Sequence, residues 1–295
     1  ELVLPTGEII GTGSKTLKSV TGYDLTKLFI GSEGTLGIFT KITVKLIPLP
    51  EKIETILASF KSITNATDTV SSIIASKIMP RALEFIDEGA IKAVRLYKDS
   101  GVMKETKAML LIEVDGPVET VHRDAVRIMN ICENNKAFGV RKAESEEEVD
   151  DLWSVRRSIS SALYTISKGK VNEDICVPRS NLTRMLNKIS EIGTKNGIKI
   201  VNFGHAGDGN IHINILIDPS APEEMRRAED AVGDIFKETV NLGGTLSGEH
   251  GVGNTKSKYL FLEIKPRELK LMKDIKNLLD PNGILNPGKI FSPTT

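Results

Sequence analysis

The sequence predicts an α+β protein, on three observations. Short stretches rich in β-branched residues alternate with amphipathic helical stretches from about residue 54 onward. The chain of 295 residues is 40% hydrophobic and 26% charged, a balance that supports a packed core and argues against disorder. Gly-rich loops separate the periodic segments. The length suits one large domain or two ordinary ones.

The elements follow in order. Over the first 50 residues Gly22, Gly31, Gly34 and Gly37 punctuate short apolar runs, so loops that expose backbone are expected. Ile38 to Leu46 reads as a strand, stopped by Pro48 and Pro50. Thr55 to Phe60 is a strand, and Ala66 to Ile78 a helix with Val70, Ile73 and Ile74 on one face. Arg81 to Ile86 and Ala108 to Val114 are strands. Val118 to Cys132 keeps a 3.6-residue period through Val118, Val121, Ala125, Ile128, Met129 and Cys132. The alternation predicts helices packed on one face of a sheet. Glu144 to Leu163 is a charged helix, and Val177 to Glu191 a strand end and helix. Ile198 to Phe203 and Ile211 to Ile217 are strands around a seven-residue loop. Ser220, with Glu223 as capping-box partner, is expected to start a helix that buries Met225, Ala228, Val232, Ile235 and Phe236. That helix stops at Gly243-Gly244, and a last helix spans Pro266 to Leu279. The tail from Asp280 to Lys289 is turn chemistry.

Composition excludes several functions. Lys plus Arg and Asp plus Glu both number 39, so the formal net charge is zero and no nucleic-acid footprint exists. No apolar run nears the roughly 20 residues of a membrane helix. Cys132 and Cys176 form neither a disulfide framework nor a C-x-x-C pair, and read as small buried hydrophobes of a cytoplasmic protein. No signal peptide is visible. The chain opens with Glu1 on what reads as a strand end, Leu2 to Leu4, so a fragment lacking an upstream half is expected.

Of four histidines, three stand in two Gly-rich loops: Gly204 to His212, and Ser247 to Gly253. If the flanking strands pair as a hairpin, His205 and His212 converge. Ile211, Ile213, Ile215 and Ile217 share one face, so His212 and Asn214 point to the other. Glu249 completes a His, His, carboxylate set suited to Zn²⁺, Fe²⁺ or Mn²⁺ in a catalytic role. His250 is left over, and a neutral imidazole beside a metal suits a general base. The plain alternative is that these histidines satisfy buried loop backbone; it suits one histidine better than three. His122 falls off its helix's apolar stripe and is expected in solvent. Gly31 to Gly37 lacks the Walker ending and the G-x-G-x-x-G fingerprint. It is either a tight turn or a loop presenting N–H groups to an anionic or flat cofactor. Arg156 and Arg157 are either solvated helix charge or, for one of them, a bidentate carboxylate clamp.

Four separated motifs carry a resemblance to one family: Gly22 to Ile38, His205 to His212, Ser247 to Gly253, and Gly283 to Lys289. In this order they resemble the FAD-linked 2-hydroxy-acid oxidoreductases, the glycolate oxidase D-subunit and D-lactate dehydrogenase group of the vanillyl-alcohol-oxidase superfamily. The resemblance implies the C-terminal part of a two-subdomain FAD domain over residues 1–50. It implies an α+β cap with an antiparallel sheet over 51–275, and a tail over 276–295 that returns to the flavin. It implies FAD contacts from Glu33, Gly34, Thr35, Gly37, Ile38 and Asn286. The metal would be held by His205, His212 and Glu249, with His250 as the base. Arg156 matches the carboxylate clamp, Ser160 stands where a Thr can, and Asn210 lies beside the substrate. The expected activity is oxidation of a small 2-hydroxy acid, with hydride passing to flavin N5. Two alternatives are a metal-dependent hydrolase and a non-catalytic, metal-stabilised module. Expected partners are the substrate and an electron acceptor: oxygen, a quinone, an iron–sulfur subunit or an electron-transfer flavoprotein, the protein sitting peripheral to a membrane if the partner does. A homodimer is a further expectation. The family's pyrophosphate loop has no equivalent in the sequence, so FAD binding by residues 1–295 alone is expected to be poor.

Overall fold

The computed structural model describes residues 1–291. It divides into two compact units, residues 1–48 with 249–295, and residues 49–248. Each is taken by itself.

In the first unit, β1 (Leu2–Val3) pairs antiparallel with β2 (Ile9–Ile10) and with β3 (Ile38–Phe39). A short helix, α1 (Leu25–Phe29), starts at Asp24, whose side chain accepts the Lys27 N–H. Leu2, Phe29 and Leu36 form the small core. The strand expected over Ile38 to Leu46 ends at Phe39. Ile42, Val44 and Leu46 are exposed, and residues 40–48 make no ladder among the described residues. Strand propensity needs a neighbouring strand to satisfy the backbone, and β-branched side chains alone do not supply one.

The second unit is built on one seven-stranded sheet. Its elements are β4 (Lys52–Phe60), α2 (Ile63–Ala75), β5 (Ala82–Asp87), α3 (Glu88–Tyr97), β6 (Ala108–Gly116), α4 (Val118–Asn134), β7 (Gly139–Lys142), α5 (Glu146–Ala162), β8 (Gly169–Cys176), α6 (Leu182–Asn196), β9 (Lys199–His205), β10 (Asn210–Ile217) and α7 (Pro222–Asn241). The strand order is β7-β4-β6-β5-β9-β10-β8, and every pairing is antiparallel. The expected helices on one face become helices on both. Leu57, Ile86, Met109, Leu111, Val201, Phe203 and Leu216 pack with α3 and α5. The alternate residues, among them Ile56, Leu110, Ile112, Ile213 and Ile215, are also buried, on the side met by α2, α4, α6 and α7. Strands apolar on both faces require cover on both.

Local signals set the ends. Ser62 caps α2, and Ser145 caps α5 through the Glu148 N–H while Glu148 reaches back to the Glu144 N–H. The box expected at Ser220 is absent. Ala221 is the cap residue, Pro222 occupies the first turn, and Glu224 accepts the Asp218 N–H. Proline's fixed φ starts the helix without a side-chain cap. Met225 is exposed rather than core, because it lies in the first turn before the helix reaches the sheet. Val118 is exposed for the same reason on α4. Gly243, at φ 75°, ends α7 as expected. No local pattern predicts β2, α1, α3, β7 or β8. Cys132 is buried, but Cys176 is only half-buried.

The chain then returns to the first unit with α8 (Pro266–Leu279), whose Glu268 accepts the Lys265 N–H. Asp280 accepts the N–H groups of Ile284 and Leu285 and pairs with Lys276. The expected turns of the tail hang on that buried carboxylate. Its last residues, 292–295, lie outside the described residues.

Candidate active site

The face of the sheet covered by α3 and α5 turns polar at one end. Along β9 it reads Val201, Phe203, His205; along β10, Leu216, Asn214, His212; and on β5, Ile86, Glu84. Cross-strand register sets Glu84 opposite His205, and His212 opposite both Phe203 and Asp174. The hairpin expected between the histidines is present, and it brings the rings together with centroids 5.2 Å apart.

Glu84 organises this end. Its Oε1 lies 2.5 Å from His205 Nδ1, and its Oε2 accepts the Arg156 Nε–H at 2.6 Å. Burial acts to raise the Glu84 carboxyl, but the His205 hydrogen bond and the Arg156 charge outweigh it and hold it below the usual carboxylate range. An ionised Glu84 can only accept, so His205 donates its Nδ1–H there and turns Nε2 toward His212 as the atom able to ligate a metal. That Nε2 stands 3.4 Å from His212 Nε2. Two nitrogens bound at ~2.0–2.1 Å to one tetrahedral ion are separated by about 3.4 Å. The donor pair and its carboxylate orienter therefore suit a divalent metal.

Arg156, 15% exposed in its side chain, also stacks on Phe203 with its Cζ 4.6 Å from the ring centroid. Its Nη groups make no hydrogen bond among the described residues, so the guanidinium fork is open to a carboxylate. Arg157 is exposed and pairs with Asp150. Ser160 is exposed and accepts from Lys170 Nζ at 2.8 Å. Asn210 is buried; its Nδ2 donates to Ile175 O, and its Oδ1 has no partner among the described residues. His122 is exposed, as expected.

Three residues on this face escaped sequence reading as site residues. Glu84 is a charge inside the apolar run Ala82-Leu-Glu-Phe-Ile86, and that incongruity was a usable signal. Lys170, whose Nζ burial lowers, donates to Asn214 Oδ1 at 3.1 Å. Asp174 faces His212. Nothing local marks these last two.

In the first unit the Gly31 to Gly37 loop takes positive φ at Gly31, Glu33 and Gly34. Glu33 is held by its own unit: its carboxylate accepts the N–H groups of Val252 and Gly253 at 2.7 and 2.8 Å, and its carbonyl accepts Asn286 Nδ2 at 2.5 Å. The N–H groups of Glu33 and Gly34 donate to nothing among the described residues, which suits a bound anionic or flat group. Thr35 is buried and bonded to Ser32 O, Gly37 lies against Leu2, and Ile38 is exposed. Glu249 and His250 also belong to this unit, with Oε1 and Nε2 3.9 Å apart.

Residues 49–290 match the family described as FAD linked oxidases, C-terminal domain. The chain is 47% identical over 292 residues to the glycolate oxidase subunit GlcD of Bacillus subtilis, covering 99% of this chain and 62% of that one. It is 34% identical to the mitochondrial D-lactate dehydrogenase [cytochrome] of Arabidopsis thaliana, covering 99% of this chain and 52% of that one. It thus spans between half and two-thirds of the length of these relatives. Among solved structures, substrate-bound p-cresol methylhydroxylase superposes with a TM-score of 0.77 at 18% identity, over 100% of this chain and 65% of that one. That likeness is one of fold.

Proposed function

From the premise that the chain belongs to the FAD-linked oxidases, we propose that it forms the substrate-binding part of an FAD-dependent 2-hydroxy-acid dehydrogenase of the glycolate or D-lactate type. The observation that carries this reading is the paired Nε2 atoms of His205 and His212, oriented by Glu84 beside the open fork of Arg156. His205, His212 and Glu249 hold the metal, Zn²⁺, Fe²⁺ or Mn²⁺. Glu33, Gly34, Thr35, Gly37, Ile38 and Asn286 meet the FAD. When bound, the flavin supplies a two-electron acceptor and the metal a Lewis acid for the 2-hydroxyl.

The chain's own groups do the rest. Arg156 takes the substrate carboxylate on its Nη atoms while Glu84 fixes its Nε side. Lys170, on the same sheet face, adds positive charge, and Ser160 and Asn214 hold its Nζ. Asn210 lies beside the substrate with a buried amide oxygen in need of a donor. His250 accepts the hydroxyl proton on a ring nitrogen, leaving C2 free to lose hydride. The oxidation would need a separate electron acceptor, for which an iron–sulfur or flavoprotein partner is the proposed class. Among the described residues no helix is long and apolar enough to cross a membrane.

The test is a panel of 2-hydroxy acids with an artificial acceptor, on a form of the protein long enough to retain FAD, supplied with each metal in turn. Turnover that needs both, and bleaches the flavin on substrate addition, is the expected result. Metal-dependent hydrolysis without flavin bleaching would overturn it.

A further inference from the structure

Asp174 is a carboxylate with no exposed surface, on edge strand β8 and on the polar face of the sheet that also carries His212. The mechanism above gives it no task. Its Oδ2 accepts the Gly248 N–H at 2.8 Å, and its Oδ1 accepts the Ser247 hydroxyl at 3.1 Å. Two residues along β8, Cys176 exchanges both backbone hydrogen bonds with Thr245. The segment 245–248 is thus pinned to β8 at two points. From β10, Asn210 closes the third side: its amide lies so near Gly248 that a β-carbon there would collide with Nδ2. Asn210 cannot swing away freely, because Nδ2 donates to Ile175 O.

We infer that Asp174 is a positioning residue: a buried latch that fixes Ser247 and Gly248, and so delivers Glu249 and His250. The inference rests on the metal and base roles proposed above. Glu249 follows Gly248 directly, and consecutive Cα atoms are about 3.8 Å apart. Fixing Gly248 therefore limits where the Glu249 carboxylate can reach. His212, the histidine ligand nearest in register, stands opposite Asp174 on the paired strand. Asp174 thus holds Ser247 and Gly248 at the register position of His212. Its hydrogen bonds are charge-assisted, and groups that orient ligands in this way typically alter metal affinity 10- to 100-fold. Gly248 is required because Asn210 and Asp174 leave no room for a side chain.

The experiment has two arms. In the first, hydrogen exchange is measured on the metal-free chain. The Gly248 amide should exchange slowly, and Asp174→Ala should speed it at least 10-fold while amides of β4 and β6 stay protected. In the second, Co²⁺ is titrated and its visible spectrum followed. Asp174→Ala should weaken Co²⁺ binding 10- to 100-fold, and Asp174→Asn should restore most of it, since its carbonyl still accepts from Gly248. Ser247→Ala, which removes one bond without touching the buried group, should show a several-fold loss and serves if Asp174→Ala does not fold. Equal Gly248 exchange in the parent and the variants overturns the latch. An intact exchange effect with unchanged Co²⁺ affinity overturns its positioning role. A parent chain that binds no Co²⁺ sinks the metal reading and this role with it, while the exchange arm still reports the latch itself.

Discussion

Glu84 and His205 sit directly across from each other on β5 and β9, with Oε1 and Nδ1 2.5 Å apart. The pairing is set by strand register, so the imidazole is oriented before any ligand arrives. Glu84→Ala removes the acceptor for both His205 and Arg156. The expected result is a 10- to 100-fold loss of metal affinity by Co²⁺ titration. Denaturant unfolding should show about 3 kcal/mol lost, as for a buried ion pair deprived of one member. Unchanged metal affinity would refute the orienting role.

Glu249→Gln replaces the proposed anionic ligand with a neutral amide at an exposed position. The fold should survive, with thermal unfolding within a few degrees of the parent. Metal content after dialysis should fall to background. Retention of stoichiometric metal would remove Glu249 from the ligand set.

His250→Ala and Arg156→Ala should fail differently in steady-state assays of the loaded protein. Loss of the base should lower kcat ~100-fold or more with little change in KM. Loss of the clamp should raise KM first, by the equivalent of ~2–3 kcal/mol for a charge-assisted bond. Arg156→Lys should recover little, since an ammonium lacks the planar fork. Equal, small effects of both changes would contradict the assignment.

Asp87 gives a pH signature independent of the site chemistry. Burial pushes its carboxyl up to about 6, against opposing hydrogen bonds from Ala90 and Asn202. The folded chain therefore holds this proton at a pH where the unfolded chain, at about 4, has released it. Stability from this residue is full below about pH 4 and is lost as pH rises to about 6, then stays level. Asp87→Asn should flatten that slope in denaturant midpoints measured from pH 4 to 7. A slope unchanged by the substitution would show that another group carries it.

Much of the second unit was legible because its signals are local. The Ile211 to Ile217 alternation placed His212 and Asn214 on the opposite face from the isoleucines, and the structure agrees. The 3.6-residue period of α4 found Val121, Ala125, Ile128 and Cys132 in the core. What failed depended on distant partners. By pattern alone Arg156 and Arg157 share the same two readings, solvated charge or clamp, until Glu84, 72 residues from Arg156, meets only that one. β8 carries Lys170, Asn172 and Asp174 on one face and Glu173 on the other, so polar residues on both faces hid the strand period. The stretch after Phe39 has strand composition, yet no described neighbour completes its ladder.

Polarity changes along a single face of the sheet, with Phe203 under α3 and α5 and His205 only two residues on. A pairing error of one residue would turn every side chain over, which any two-faced strand resists. An error of two residues keeps each face and is usually the harder one to exclude. Here it would slide His205 toward the place of Phe203, under α3 and α5, or His212 toward that of Asn214, and either way part His205 from Glu84 or from His212. The polar end of this face thus marks one strand alignment as the right one, whatever it binds.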